Sequence, residues 1–287
     1  MVQPSKSIES VRLERTRGGA SGRARDWVTV EEPLEIRVAP SPAGPEASPG
    51  APARSVAVTM RTPGEDFALA AGFLVTEGVL KGREALREIT YCRSGRGPQE
   101  YNIVEVRLRE GVTVDLDRLS RNVYTTSSCG VCGKASLEAL EIRGCAPLPL
   151  GTLALPGALL AGLPDRLLAA QEDFARTGGI HAAGLFDAAG ELVSVHEDVG
   201  RHNAVDKAVG AAFLAGELPL LERALVVSGR VSFEVVQKAL AAGIPLVAAV
   251  GAPSSLAVSL ARRFRITLAG FVREGGFNLY SAPERVS

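Results

Sequence analysis

Two cysteines, Cys129 and Cys132, stand in the run Thr126-Ser127-Ser128-Cys129-Gly130-Val131-Cys132-Gly133-Lys134. A glycine follows each of them, and a lysine closes the run. Glycine leaves the backbone free and offers no side chain to cover a sulfur. A thiol is a nucleophile only as thiolate, and a neighbouring thiol or cation favours that form. Residues 125–135 therefore read as a mobile loop carrying an accessible, reactive sulfur site. Half of a zinc site has the same spacing, but a structural zinc needs four ligands. Cys92 and Cys145 stand apart, and His181, His196 and His202 form neither H-x-x-x-H nor H-E-x-x-H. No metal site is expected, and redox or sulfur-transfer chemistry ranks above zinc.

A second cluster is Glu197-Asp198-Val199-Gly200-Arg201-His202-Asn203, just after a predicted strand. His196 and His202 flank two acids and an arginine, so acid, base and anion-binding groups lie together. Ser228-Gly229-Arg230 and Gly251-Ala252-Pro253-Ser254-Ser255 each follow an apolar run and lead into a helix. Ligands of open α/β sheets bind outside such strand ends, and free N–H groups at helix starts favour phosphate. Two such ends with Arg230 suggest a nucleotide-like ligand. Neither G-x-G-x-x-G nor a P-loop is present. His181 lies among small residues, Thr177-Gly178-Gly179-Ile180-His181-Ala182-Ala183-Gly184, which leave room for a ligand.

The elements that must position these residues fall into two groups. Residues 1–26 are polar, Arg-rich and without an apolar core, and are expected to be a disordered tail, not a secretory signal. Strands are expected at 27–38, 55–61, 88–92 and 102–109, with a Pro/Gly/Ala/Ser insertion at 40–53. A helix should start at Thr62-Pro63-Gly64-Glu65-Asp66 with Thr62 as cap. Phe67, Ala70, Ala71 and Leu74 are its buried stripe, and Gly78 stops it. Residues 27–124 thus form a small α+β domain. In 136–287, helices are expected at 136–142, at 156–177 with a break near Leu163-Pro164, and at 203–215, 233–242 and 254–264. A hairpin joins 184–186 to 192–196, and buried strands lie at 224–228, 245–250 and 267–272. Buried strands alternating with helices predict a mixed sheet covered by helices.

With 46% hydrophobic residues the chain can build a real core, and its formal charge of zero argues against a general nucleic-acid binder. Four cysteines with one C-x-x-C suggest a reducing, cytoplasmic setting. No stretch approaches the ~20 apolar residues of a membrane span.

The chain resembles the FdhD family of sulfur-carrier accessory proteins of formate dehydrogenase. The resemblance rests on Cys129-Gly130-Val131-Cys132-Gly133, Thr177-Gly178-Gly179-Ile180-His181, the stretch from Glu197 through His202 to Lys207, Ser228-Gly229-Arg230, Gly270-Phe271-Val272-Arg273 and Phe277-Asn278-Leu279-Tyr280. Arg61-Thr62-Pro63-Gly64-Glu65-Asp66-Phe67 and Gly72-Phe73-Leu74-Val75-Thr76-Glu77-Gly78 fit as well. It implies a protein that takes persulfide sulfur from a cysteine desulfurase and passes it to the bis-guanine-dinucleotide form of the molybdenum cofactor. The sulfurated cofactor then enters formate dehydrogenase. It assigns the persulfide to Cys129, with Cys132 assisting or resolving. It places cofactor binding at Phe271, Val272, Arg273, Glu274, Gly275 and Gly276, joined in the strand-end reading by His181, Arg201, His202, Ser228, Gly229 and Arg230. A GDP-like nucleotide would mimic that cofactor. It also implies a cytidine-deaminase-like second half and a homodimer. Deamination is not expected, because the deaminase H-x-E and P-C-x-x-C signature is missing. A thiol–disulfide oxidoreductase and a non-catalytic nucleotide-binding chaperone remain as alternatives.

Overall fold

The computed structural model describes residues 6–39, 53–92, 101–112 and 145–287. The loop at 125–135 with Cys129 and Cys132, the expected helix at 136–142, and the insertion at 40–53 except its last residue lie outside the described residues.

The first strands are β1 (Ile8–Arg17) and β2 (Ala20–Thr29), an antiparallel ribbon where a disordered tail was expected. Gly18 and Gly19, with φ of 57° and 84°, make its two-residue turn. Paired glycines suit the hairpin turns whose twist matches that of the strands. The single strand expected at 27–38 is therefore two, because β2 ends at Thr29 and β3 (Glu32–Ala39) begins a different sheet. That sheet runs β4-β3-β6-β5, with β4 (Arg54–Arg61), β5 (Leu86–Tyr91) and β6 (Ile103–Leu108). Helix α1 (Asp66–Thr76) starts four residues after Thr62, and its cap is Glu65 in the left-handed conformation. Thr62 is instead tied to the second half: its N–H donates to Asp198 Oδ2 (3.1 Å), and its hydroxyl accepts from the Val199 N–H (3.1 Å).

The second half opens with α2 (Gly157–Ala169) and α3 (Glu172–Thr177). The chain breaks at Ala170-Gln171, not at Pro164, which stays inside α2. Pro164 lacks an N–H for the helix ladder, but it is buried beside Leu160, Leu163 and Leu167. There follow β7 (His181–Phe186), β8 (Leu192–Asp198), α4 (Arg201–Ala215), β9 (Ala224–Val227), α5 (Phe233–Ala241), β10 (Leu246–Ala249), α6 (Ser255–Arg263), β11 (Thr267–Arg273) and β12 (Gly276–Ser281). The expected mixed sheet is present, ordered β12-β11-β10-β9-β7-β8, with β9, β10 and β11 parallel. Strand β12, which pairs antiparallel to β11, was not anticipated.

Alternate residues of the large sheet feed two cores. On one face Ala182, Phe186, Val226, Leu246 and Ala248 meet the leucines of α2. On the other, Leu225, Val227 and Val247 join α1, α4, α5 and the four-stranded sheet in one continuous core. The two expected units thus share a hydrophobic interior. Helices α1 and α4 cross at glycines. A Cβ on Gly72 would collide with the Asp206 carbonyl oxygen, and one on Gly210 with the Ala68 carbonyl oxygen. Backbone cannot swing aside as a side chain does, so Gly72→Ala is expected to destabilise the protein by about 1–3 kcal/mol, as overpacking does. The check is urea denaturation: the midpoint should fall with the slope unchanged. An unaltered midpoint would mean that the helices separate at no cost.

Candidate functional site

Because β9, β10 and β11 are parallel, their carboxyl ends lie side by side. Strand β7 runs antiparallel to β9, which brings its first residue, His181, to the same end. Ser228 locks this corner: its hydroxyl accepts from the Ala182 N–H (2.9 Å), and its own N–H donates to the Ala182 carbonyl (3.0 Å). Gly229 lies under the His181 ring, where an added Cβ would sit 3.4 Å from Nδ1. Helices α2 and α3 close over this end and leave a cavity of 550 Å³. That volume falls within the roughly 300–1,000 Å³ of small-molecule sites.

Of the expected site residues, His181, Ser228, Val272 and Arg273 line this cavity. Phe271 is 44% exposed with φ of 53°, and its N–H donates to the Gly251 carbonyl (3.2 Å). Glu274, Gly275 and Gly276 form the β11–β12 turn and its exit, away from the cavity wall. Arg230 is exposed beside Gly251, also outside the wall. The 271–276 stretch therefore contributes Val272 and Arg273 to the cavity and the remainder to its surroundings. The cysteine pair has no described position.

The His181 ring is held below the usual histidine range, chiefly by burial and then by the nearby Arg201 and His202. A neutral imidazole at this wall offers one donor and one acceptor. Arg201 Nε is buried without a hydrogen-bond partner among the described residues. His202 Nε2 faces Glu234 (2.8 Å) and the Ser232 hydroxyl (3.0 Å). The hydrogen bond from His202 holds the Glu234 carboxyl below its usual range.

The rest of the charged 196–207 stretch is turned to packing, which corrects the expectation of acid–base groups gathered at one site. Glu197 accepts from the N–H groups of Asp173 and Phe174, both at 2.9 Å, and so holds the start of α3. Asp198, fully buried, pairs with Lys207 (2.8 Å) and accepts from Thr62, Gly200 and Asn203. Lys207 also donates to the carbonyls of Thr62 and Glu197. His196 Nδ1 lies 2.7 Å from Glu65. These contacts weld residues 59–66 of the first half to the large sheet. Buried charges persist when each is paired and hydrogen-bonded, as Asp198 and Lys207 are.

The sequence reading missed the α2–α3 side of the cavity, with Leu167, Leu168, Gln171 and Phe174. Its leucines look like any amphipathic helix, so no local pattern marks them. Among the described residues no cluster of His, Cys, Asp and Glu is arranged to hold a metal. Among them, too, no helix is long and apolar enough to cross a membrane.

Comparison with known proteins bears on this arrangement. The model of the FdhD/NarQ family matches residues 30–287, which leaves both strands of the ribbon outside it. Over 282 residues the chain is 51% identical to a Streptomyces avermitilis protein named Sulfur carrier protein FdhD, covering 97% of this chain and 95% of that one. A Mycobacterium tuberculosis protein of the same name is 49% identical over 269 residues, covering 91% and 92%. Among solved structures, a candidate formate dehydrogenase accessory protein from Desulfotalea psychrophila matches with a TM-score of 0.72 and 27% identity, over 98% of this chain and 99% of that one.

Proposed function

The chain belongs to the FdhD/NarQ family, and on that premise we propose that it is a sulfur carrier required for formate dehydrogenase activity. The observation that carries the proposal is Cys129-x-x-Cys132 in a chain half identical to proteins named as sulfur carriers. The Cys129 thiolate attacks the outer sulfur of a persulfide on a cysteine desulfurase. The donor leaves as thiolate, and Cys129 holds the S–SH group. The cargo is the bis-guanine-dinucleotide molybdenum cofactor, which then passes to formate dehydrogenase. The outer persulfide sulfur is zero-valent, so its delivery as sulfide takes two electrons. Attack of the Cys132 thiolate on the Cys129 sulfur supplies them. The Cys129–Cys132 bond forms, hydrosulfide leaves towards the cargo, and a cellular dithiol later reduces the disulfide. We place these events in the cytoplasm, in a homodimer.

The strand-end cavity is the seat we assign to the cargo. It has room for a nucleotide, a cation at Arg273 and a hydroxyl at Ser228, on a largely apolar wall. A guanidinium pairs bidentately with phosphate. Arg273→Ala is therefore expected to weaken GDP binding about ten- to a hundred-fold, the loss of one charge-assisted contact. Arg230→Ala, outside the wall, should cost less. Calorimetric titration of GDP into both variants checks this, and unchanged affinity for Arg273→Ala would remove the cavity from cargo binding.

A further inference from the structure

The β1–β2 ribbon belongs to neither larger sheet, and it lines no part of the cavity. A two-stranded ribbon alone is marginal in water, and this one is held at its root. The Val30 N–H donates to the Ser7 carbonyl (2.8 Å), and the Thr29 hydroxyl donates to that of Thr177 (3.1 Å). Arg176 of α3 stacks on the Trp27 ring, 4.5 Å from its centre. Gly178 and Gly179, which follow Thr177, line the cavity. The ribbon is therefore rooted at the cavity wall, and its far end, residues 16–23, is exposed throughout.

Paired residues of an antiparallel ribbon share a face. The register sets Ser10 opposite Trp27, Arg12 opposite Arg25, and Glu14 opposite Arg23 on one face. Arg15 is engaged with Asp26 on the other face (2.8 Å). Arg12, Arg23 and Arg25 are exposed, and their side chains have neither hydrogen bond nor ion pair among the described residues. Like charges directly opposite each other destabilise a strand pair. A carboxylate seated between Arg12 and Arg25 turns that repulsion into attraction, and each guanidinium offers it a two-pronged donor. With Arg176 at the root, cations run outward from the cavity wall beside an exposed aromatic ring. Acids interrupt them at Glu9, Glu14 and Asp26, which suits the mixed charges of a protein surface and opposes a continuous phosphate backbone. We infer that this face of the ribbon docks the acidic surface of a protein partner and holds it over the cavity. The occupant is the protein that receives the cargo, because the ribbon is rooted where the cargo sits. Leu168 and Val250, large apolar side chains exposed on the cavity wall, are what such a partner would cover. The inference rests on the reading that the cavity holds the cargo, and adds the surface that recognises its recipient.

The test is the rate of association of the full chain with formate dehydrogenase prepared from cells lacking this protein, measured by surface plasmon resonance at several salt concentrations. Wild-type association is expected to slow steeply as salt rises, because exposed charges are screened. Arg12→Gln combined with Arg25→Gln should slow it roughly tenfold at low salt and flatten the salt dependence, with dissociation little changed. Arg12→Glu combined with Arg25→Glu should slow it further. The glutamine pair removes a like-charge contact, so its urea midpoint should hold or rise and its affinity for GDP should match the wild type. A loss of association in that variant is then not a loss of fold. Unchanged association in the glutamine variant, or no association of the wild type at micromolar concentration, overturns the docking face. A ribbon effect on the cysteine desulfurase with none on the dehydrogenase overturns the choice of occupant. A ribbon-dependent affinity for a short DNA duplex, again with no effect on the dehydrogenase, overturns the protein partner. Failure of the wild type to bind GDP while association still depends on the ribbon removes the cargo from the cavity and leaves the docking face standing.

Discussion

Cells whose only copy of this protein carries Cys129→Ala are expected to produce formate dehydrogenase with activity no higher than cells lacking the protein altogether. The loss is complete because the persulfide has no other carrier: alanine cannot form the S–S bond that accepts sulfur. Cys132→Ala should retain part of the activity. Its task is to expel hydrosulfide, and free thiols of the cell attack the same persulfide more slowly. The measurement is formate-dependent dye reduction in extracts normalised to dehydrogenase protein. Full activity with Cys129→Ala would remove that cysteine from the pathway. Full activity with both cysteines replaced would remove sulfur transfer through this motif altogether.

The second large effect concerns the buried pair that ties three helices. Lys238 of α5 donates to both carboxylate oxygens of Asp206 in α4, each at 2.8 Å, and to the Thr76 hydroxyl of α1 (3.1 Å). Both charges are buried. Removing one partner of such a pair costs about 3–5 kcal/mol, whereas replacing both with apolar side chains is often neutral. Lys238→Met is expected to reach that cost, and Asp206→Leu combined with Lys238→Met to recover most of it. Burial already pushes the Asp206 carboxyl above the usual carboxylate range, against the pull of Lys238. Without that pull it rises further. A carboxyl whose folded value is raised contributes stability below its unfolded value and loses it as pH climbs through the folded one. The deficit of Lys238→Met should therefore be smaller at pH 5 than at pH 8. Urea denaturation at both values checks this, and a deficit independent of pH would show that Asp206 stays ionised in the variant.

The parts of the site built from local pattern were legible in the sequence. The apolar runs that became β9, β10 and β11 have the length and flanks of buried strands. The rule that ligands gather beyond parallel strand ends then led to Ser228, whereas Val272 and Arg273 were reached only through the family resemblance. His181 was found through its small neighbours. What pattern could not show is which charges face a ligand. Asp198 serves the N–H of Thr62, 136 residues away in the chain, and nothing near Asp198 announces that partner. The Gly72–Gly210 crossing was illegible for the same reason, since a glycine that admits another helix looks like any glycine in a helix. The ribbon was missed because its strands carry so many arginines and acids that only Gly18-Gly19 marked a turn. The α2–α3 half of the cavity was missed because a leucine facing a ligand and a leucine facing a core read alike.

The claim on which the account depends is that Cys129 carries sulfur as a persulfide. The most direct measurement is mass spectrometry of the intact protein and of its Cys129 peptide, after incubation with a cysteine desulfurase and cysteine. Thiols are blocked by alkylation before digestion. The account predicts an added mass of one sulfur atom on Cys129, removed by a reducing dithiol and absent from Cys129→Ala. A Cys129–Cys132 disulfide with no added sulfur at any time point would instead indicate a thiol–disulfide oxidoreductase. Two unmodified cysteines under conditions in which the desulfurase itself carries persulfide would contradict the carrier role.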